Sequence, residues 1–168
     1  MKNKSVNMLI VALLLLAALS VTLVVFLADA KENFPKDITV DEDGVSETIL
    51  QVRDLHLNPT ESREYSVNLY CAASGAYDVS LDYEETLDGG LKHFVTVTVK
   101  ANGAAVYEGS LADLLDGTAV IRFNGELNEK RTQEPLVLTI TYHMPRSVGN
   151  EAQRTYANFD VKLKIVKS

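Results

Sequence analysis

From Phe159 to Ile165 every second residue is apolar and every residue between is charged: Phe159, Val161, Leu163 and Ile165 alternate with Asp160, Lys162 and Lys164. Successive side chains of a strand point to opposite faces, so a period of two gives one buried face and one wet face. The same rhythm recurs along the chain. Tyr65, Val67, Leu69 and Cys71 share a face against Ser66, Asn68 and Tyr70. Tyr77, Val79, Leu81 and Tyr83 alternate with Asp78, Ser80, Asp82 and Glu84, and Val95, Val97 and Val99 with Thr96, Thr98 and Lys100. Ile121 and Phe123 follow, then Leu138, Ile140, Tyr142 and Met144. Thr48–Leu57 is also strand-like, but its apolar parity changes between Val52 and Leu55, which predicts a β-bulge.

Half-buried strands exclude a parallel α/β sheet, whose strands are apolar on both faces. About eight short strands with almost no helix predict an all-β, antiparallel two-sheet sandwich of jelly-roll type. The turn residues agree. Asn102-Gly103 between Val99 and Val106 suits a hairpin with positive φ at both central positions. Asp88-Gly89-Gly90 and Asn58-Pro59-Thr60-Glu61 mark two further reversals. One segment breaks the rhythm: Ser110 caps a helix start, Leu111, Leu114 and Leu115 form an apolar stripe, and Gly117 ends it.

The N-terminus differs in kind. Val6–Ala28 is a run of 23 residues without charge, preceded by Lys2 and Lys4. A membrane-spanning helix needs about 20 apolar residues. Basic residues before the run keep that end in the cytoplasm and send the remainder outward. The expected organisation is a signal anchor or signal peptide over 1–30, a charged linker over 31–46 and a β-sandwich domain over 47–168. Ala28-Asp29-Ala30 fits a small-residue cleavage site, so the domain is held at the membrane, or is released if the chain is cut after Ala30. Inside the linker, Ile38-Thr39-Val40 forms a short extended piece.

The whole chain carries a net charge of −7, and losing Lys2, Lys4 and Asp29 makes the exported remainder more acidic by a single unit. Dispersed basic residues on an acidic domain exclude a nucleic-acid-binding role, which needs clustered Lys and Arg. Cys71 is the only cysteine and lies on inward parity, so no intrachain disulfide forms and the thiol faces the core.

Little else carries chemistry. His56, His93 and His143 are far apart in sequence, and none sits in a zinc-binding helix motif. No nucleophile elbow, activated thiol or phosphate loop is present. Asp41-Glu42-Asp43-Gly44 with Glu47 lacks the spacing of a calcium loop, and Asp82, Glu84, Glu85 and Asp88 cluster near a hairpin end. The expectation is no enzyme, no catalytic residue, no metal and no cofactor, with a glycan- or calcium-binding surface module as an alternative. Tyr65, Tyr77, Tyr83 and Tyr142 fall on inward parity, and Tyr70 is the exposed aromatic.

The stretch Tyr142–Ile165 joins two core strands through a polar loop. Pro145 ends pairing because it has no N–H to donate, and Gly149-Asn150 suits a positive-φ turn. Glu151 and Gln153 are placed to satisfy loop backbone groups. Pro145, Gly149, Asn150 and Gln153 are therefore expected to be structural loop residues of a strand crossover.

Three features resemble the camelysin/TasA family of exported matrix and fibre proteins of Gram-positive bacteria. One is the strand, Pro-centred turn and return strand of Leu55–Tyr65. Another is the short helix Ser110–Leu115. The last is Met144-Pro145 with Asn150-Glu-Ala-Gln153 before the strand Phe159–Ile165, although Arg154 stands where that family often has glycine. The likeness runs from about Thr48 to the C-terminus. It implies a non-enzymatic structural or adhesive subunit, at the cell surface or in a biofilm matrix, that self-associates through sheet edges. Ile38, Thr39 and Val40 are then the candidate donor strand. The same resemblance implies a camelysin-like metallopeptidase as an alternative.

Overall fold

The computed structural model describes residues 36–41, 44–130 and 134–168. The expected membrane or signal segment over 1–30 lies outside the described residues. Among the described residues no helix is long and apolar enough to cross a membrane.

The fold is an all-β two-sheet sandwich. Its strands are β1 (Lys36–Val40), β2 (Val45–Leu55), β3 (Ser62–Cys71), β4 (Gly75–Gly89), β5 (Thr96–Ala101), β6 (Ala104–Ser110), β7 (Ile121–Leu127), β8 (Leu136–His143) and β9 (Tyr156–Lys167). One sheet runs β1-β3-β8-β5-β6 and the other β2-β9-β4-β7. Only the β5–β6 connection stays within a sheet; every other link crosses between the two. The core lies between the sheets and is filled by the residues that alternation assigned inward. Phe159, Val161, Leu163 and Ile165 are fully buried, as are Val97, Val99, Leu138, Ile140, Tyr142 and Met144.

Several local features follow from chemistry visible in the sequence. Asn102 and Gly103 both take positive φ, closing the β5–β6 hairpin. Helix α1 (Leu111–Leu115) starts where Ser110 Oγ accepts the Ala112 N–H at 3.1 Å, and buries Leu111 and Leu114. Gly117, at φ 70°, follows it. The parity change in β2 is a register shift between Val52 and Leu55, with Asp54 at φ 50°. Arg53 fastens that bulge by donating to the Val52 and Phe159 carbonyls while pairing with Asp160 at 2.7 Å.

Four expectations need correction. The sandwich is not wholly antiparallel, because β1 pairs with β3 in parallel. Two successive reversals, through β2 and back, return the chain in its starting direction. The segment assigned to a linker contributes β1 and the start of β2 to the sheets. In the β8–β9 crossover Gly149 has φ −88°, and the residue with positive φ is Arg154, at 69°. The reversal is made instead by a 3-10 turn at Asn150–Ala152 that buries Ala152. Among the described residues Gln153 does not serve a stranded backbone group through its side chain; its Nε2 donates to Asn150 Oδ1 at 2.9 Å.

Cys71 is 2% exposed at the end of β3, and burial pushes its thiol up, against an opposing hydrogen bond to Tyr77. A thiol reagent should therefore leave Cys71 unmodified in the native chain and label it on denaturation. Cys71→Ser should cost about 1 kcal/mol, the low end for a buried hydroxyl, because the Tyr77 hydroxyl offers it a partner. Rapid native labelling would mean that the faces of β3 are assigned the wrong way round.

Candidate functional site

The site singled out by the sequence is the Ile38–Val40 segment, and in the fold it is the edge strand of the five-stranded sheet. Lys36–Val40 lies against Val67–Cys71 in unbroken register, with Thr39 opposite Tyr70 and Val40 opposite Cys71. Ile38 and Val40 point inward and are 4% and 0% exposed, so this five-residue strand fills a slot in the core. After Val40 its carbonyl accepts the Ala72 N–H at 2.9 Å.

The outward face of β1 carries a polar clasp. Asp37 Oδ1 accepts from Asn68 Nδ2 at 2.9 Å, and its other oxygen lies 2.9 Å from Lys130 Nζ. Lys130 also sits over the Tyr70 ring at 5.4 Å. Tyr70, expected to be the exposed aromatic, is thus half-buried beneath a cation. The Lys130 hydrogen bond, with Asn68 second, holds the Asp37 carboxyl below its ordinary range, and Asp37 in turn holds the Lys130 ammonium above its own. A depressed carboxyl contributes above its unfolded pKa and loses that contribution as pH falls through the depressed value. A raised ammonium contributes below its unfolded pKa and loses it as pH rises through the raised value. Both ends of the clasp are therefore charged across neutral pH.

Asp41 and Gly44 form an isolated antiparallel bridge, with the Gly44 N–H donating to the Asp41 carbonyl at 3.1 Å. Gly44 has φ 89°, and a Cβ there would stand 2.4 Å from the Ile165 carbonyl oxygen. Glycine is required at this point, where the chain passes hard against β9.

The other sequence-derived candidates do not converge on the β1 edge. Pro145 and Val148 border an open groove of about 660 Å³ beside β5 and β6, together with His93, Phe94, Glu108 and Ser110. His143 Nδ1 lies 2.8 Å from Ser62 Oγ, His56 Nδ1 lies 2.8 Å from the Thr155 carbonyl, and His93 is exposed. Among the described residues no group of three or more His, Cys, Asp or Glu is placed to hold a metal ion. Of the acidic clusters, Glu42 and Asp43 lie outside the described residues, and Glu84 pairs with Lys162.

Glu85 and Asp88, grouped in sequence with Asp82 and Glu84, surround a buried lysine that sequence reasoning missed. Lys92, 7% exposed, places its ammonium 2.9 Å from Glu85, 3.2 Å from Asp116 and 3.4 Å from Asp88. The Glu85 hydrogen bond leads in raising its pKa, so it stays charged. It ties the end of β4 and the 3-10 turn Leu91–Phe94 to the end of α1. Its only sequence signal is an Asp four residues before a Lys; Asp116 is supplied by the fold.

No family model matches this chain, and no curated protein matches it. Among solved structures it is similar to the pre-peptidase C-terminal domain of a collagenase from Bacillus anthracis. That match is 9% identical with a TM-score of 0.29, covering 79% of this chain and 95% of that one. It is also similar to PliG of Aeromonas hydrophila, a periplasmic inhibitor of g-type lysozyme, at 12% identity and a TM-score of 0.35, over 79% of this chain and 99% of that one. Likenesses at this level carry no argument about fold or activity.

Proposed function

We propose that this chain is a non-enzymatic, extracytoplasmic structural or adhesive module of the camelysin/TasA type, assembling by donation of β1 to a neighbouring copy. The observation that carries the reading is the way β1 is held. A five-residue strand at a sheet edge supplies two core residues, Ile38 and Val40, and is followed by Gly44, whose backbone sits against β9. The slot along β3 is shaped by β3 itself, so β1 of another copy fills it as well as the chain's own. Exchange of an identical element between copies is strand addition at an open edge, with main-chain hydrogen bonds for affinity and the Ile38 and Val40 slots for selectivity.

Two further observations support the reading. The strand orders β2-β9-β4-β7 and β3-β8-β5-β6, with β1 added beside β3, follow a jelly-roll plan of two Greek keys. The apolar run Val6–Ala28 provides an export signal, placing the sandwich outside the cytoplasm either anchored or released after Ala30. Release leaves β1 available for donation; a retained anchor gives a surface-displayed monomer.

Deleting Lys31–Gly44 should abolish fibres in electron micrographs of the exported protein. Fibres of unchanged abundance from the deleted chain would remove the proposal.

A further inference from the structure

Of the four edges of the sandwich, three carry features that discourage a further strand. β2 has register shifts at Thr48/Leu50 and Val52/Leu55, β1 is five residues long, and β6 pairs with β5 through a shift at Val99/Lys100. Bulges and short edge strands are the usual defences against edge-to-edge association. β7 lacks them. It is a seven-residue edge strand, IRFNGEL, in unbroken register with β4 from Gly75–Leu127 to Leu81–Ile121, and it has no Pro or Lys.

The sequence of β7 is also complementary to itself. In an antiparallel pairing of two copies about a twofold axis at Asn124, Arg122 lies opposite Glu126 of the partner subunit. Phe123 lies opposite the partner's Gly125, and Ile121 opposite the partner's Leu127. Arg122, Asn124 and Glu126 are exposed on the outer face. Neither Arg122 nor Glu126 makes an ion pair among the described residues. They cannot pair with each other along one strand, because four residues span about 13 Å. On the inner face Phe123 is half-buried, and Gly125 is buried, with the Leu136 side chain filling the space that a Cβ would take.

We infer that β7 is a twofold pairing edge through which two copies of this chain join their four-stranded sheets into one eight-stranded sheet centred on Asn124. A twofold interface uses each complementary pair twice, so one surface patch supplies both Arg122–Glu126 contacts. This edge is on the sheet opposite β1 and does not depend on strand donation.

The test places single cysteines in the full-length chain in detergent, with native Cys71 as a check on folding through its resistance to labelling. Asn124→Cys should give an interchain cross-link by oxidation or with a short bismaleimide, since the twofold sets residue 124 against itself. Glu126→Cys should not, because its counterpart lies about 13 Å away along the partner strand. Adding Arg122→Glu to Asn124→Cys sets like charges opposite each other twice and should slow cross-linking at least about tenfold. The exchange Arg122→Glu with Glu126→Arg should restore it. Equal rates for the cysteines at 124 and 126, or failure of the charge exchange to restore cross-linking, would overturn the assignment.

Discussion

Phe159→Ala should lower the unfolding free energy of the sandwich by about 3–5 kcal/mol. Phe159 is fully buried on β9, the strand flanked by β2 and β4. Its ring centroid lies 5.4 Å from that of Tyr142 and 5.9 Å from that of Tyr83. Tyr142 donates a 3.3 Å hydrogen bond to the Tyr83 hydroxyl, and burial pushes the Tyr142 hydroxyl well up, so it stays protonated. Truncating Phe159 thus removes a large apolar group and opens a cavity beside a buried polar pair that cannot shift without breaking its own bond. Phe159→Leu keeps much of the volume and should cost less, about 1–2 kcal/mol. Lys164→Ala, an exposed position on the same strand, should change stability by no more than about 0.5 kcal/mol. Denaturant unfolding of the three variants measures the differences. Equal effects from Phe159→Ala and Lys164→Ala would mean that β9 presents its faces the other way.

Gly44→Ala should cost about 2–4 kcal/mol, from two penalties at one residue. Its φ of 89° strains any side chain, and the added Cβ would meet the Ile165 carbonyl oxygen, a backbone atom that cannot swing aside. Relief requires the backbone at Gly44 to lift from β9, which pulls on β1. Amide exchange in Ile38 and Val40 should therefore quicken more than exchange in β4 and β8. Loss of stability spread evenly, with β1 protection unchanged relative to the core, would uncouple Gly44 from the strand and contradict this coupling.

The fold was legible where local pattern and tertiary position agree. Alternation along Phe159–Ile165 and Val95–Val99 identifies core residues because each strand has one buried face. A parity slip exposes the β2 bulge, and Asn102-Gly103 exposes the hairpin. β1 was legible only as a short extended piece. Ile38 and Val40 are too few to give a period, and their neighbours Asp37, Thr39 and Asp41 are polar because the strand is an edge with a wet outer face. Its parallel pairing has no local signature, since it depends on where the chain returns after β2. Arg154 shows the same limit in the loop: with Gly149-Asn150 nearby, residue type points to the wrong place for the positive φ. Lys92 was illegible as a buried charge because two of its three carboxylates, Glu85 and Asp116, are brought to it by β4 and α1.

The central claim, that β1 fills the β3 edge of a neighbouring copy, is tested most directly by cysteines at Thr39 and Tyr70, which are direct partners across the β1–β3 pair. Thr39→Cys with Tyr70→Cys is placed in a Cys71→Ala background, assembled and then oxidised. Donation between copies predicts a ladder of covalent oligomers on a denaturing, non-reducing gel from assembled material, and single chains with an internal bridge from unassembled protein. Assembled material that dissolves wholly into internally bridged single chains after complete oxidation would contradict it.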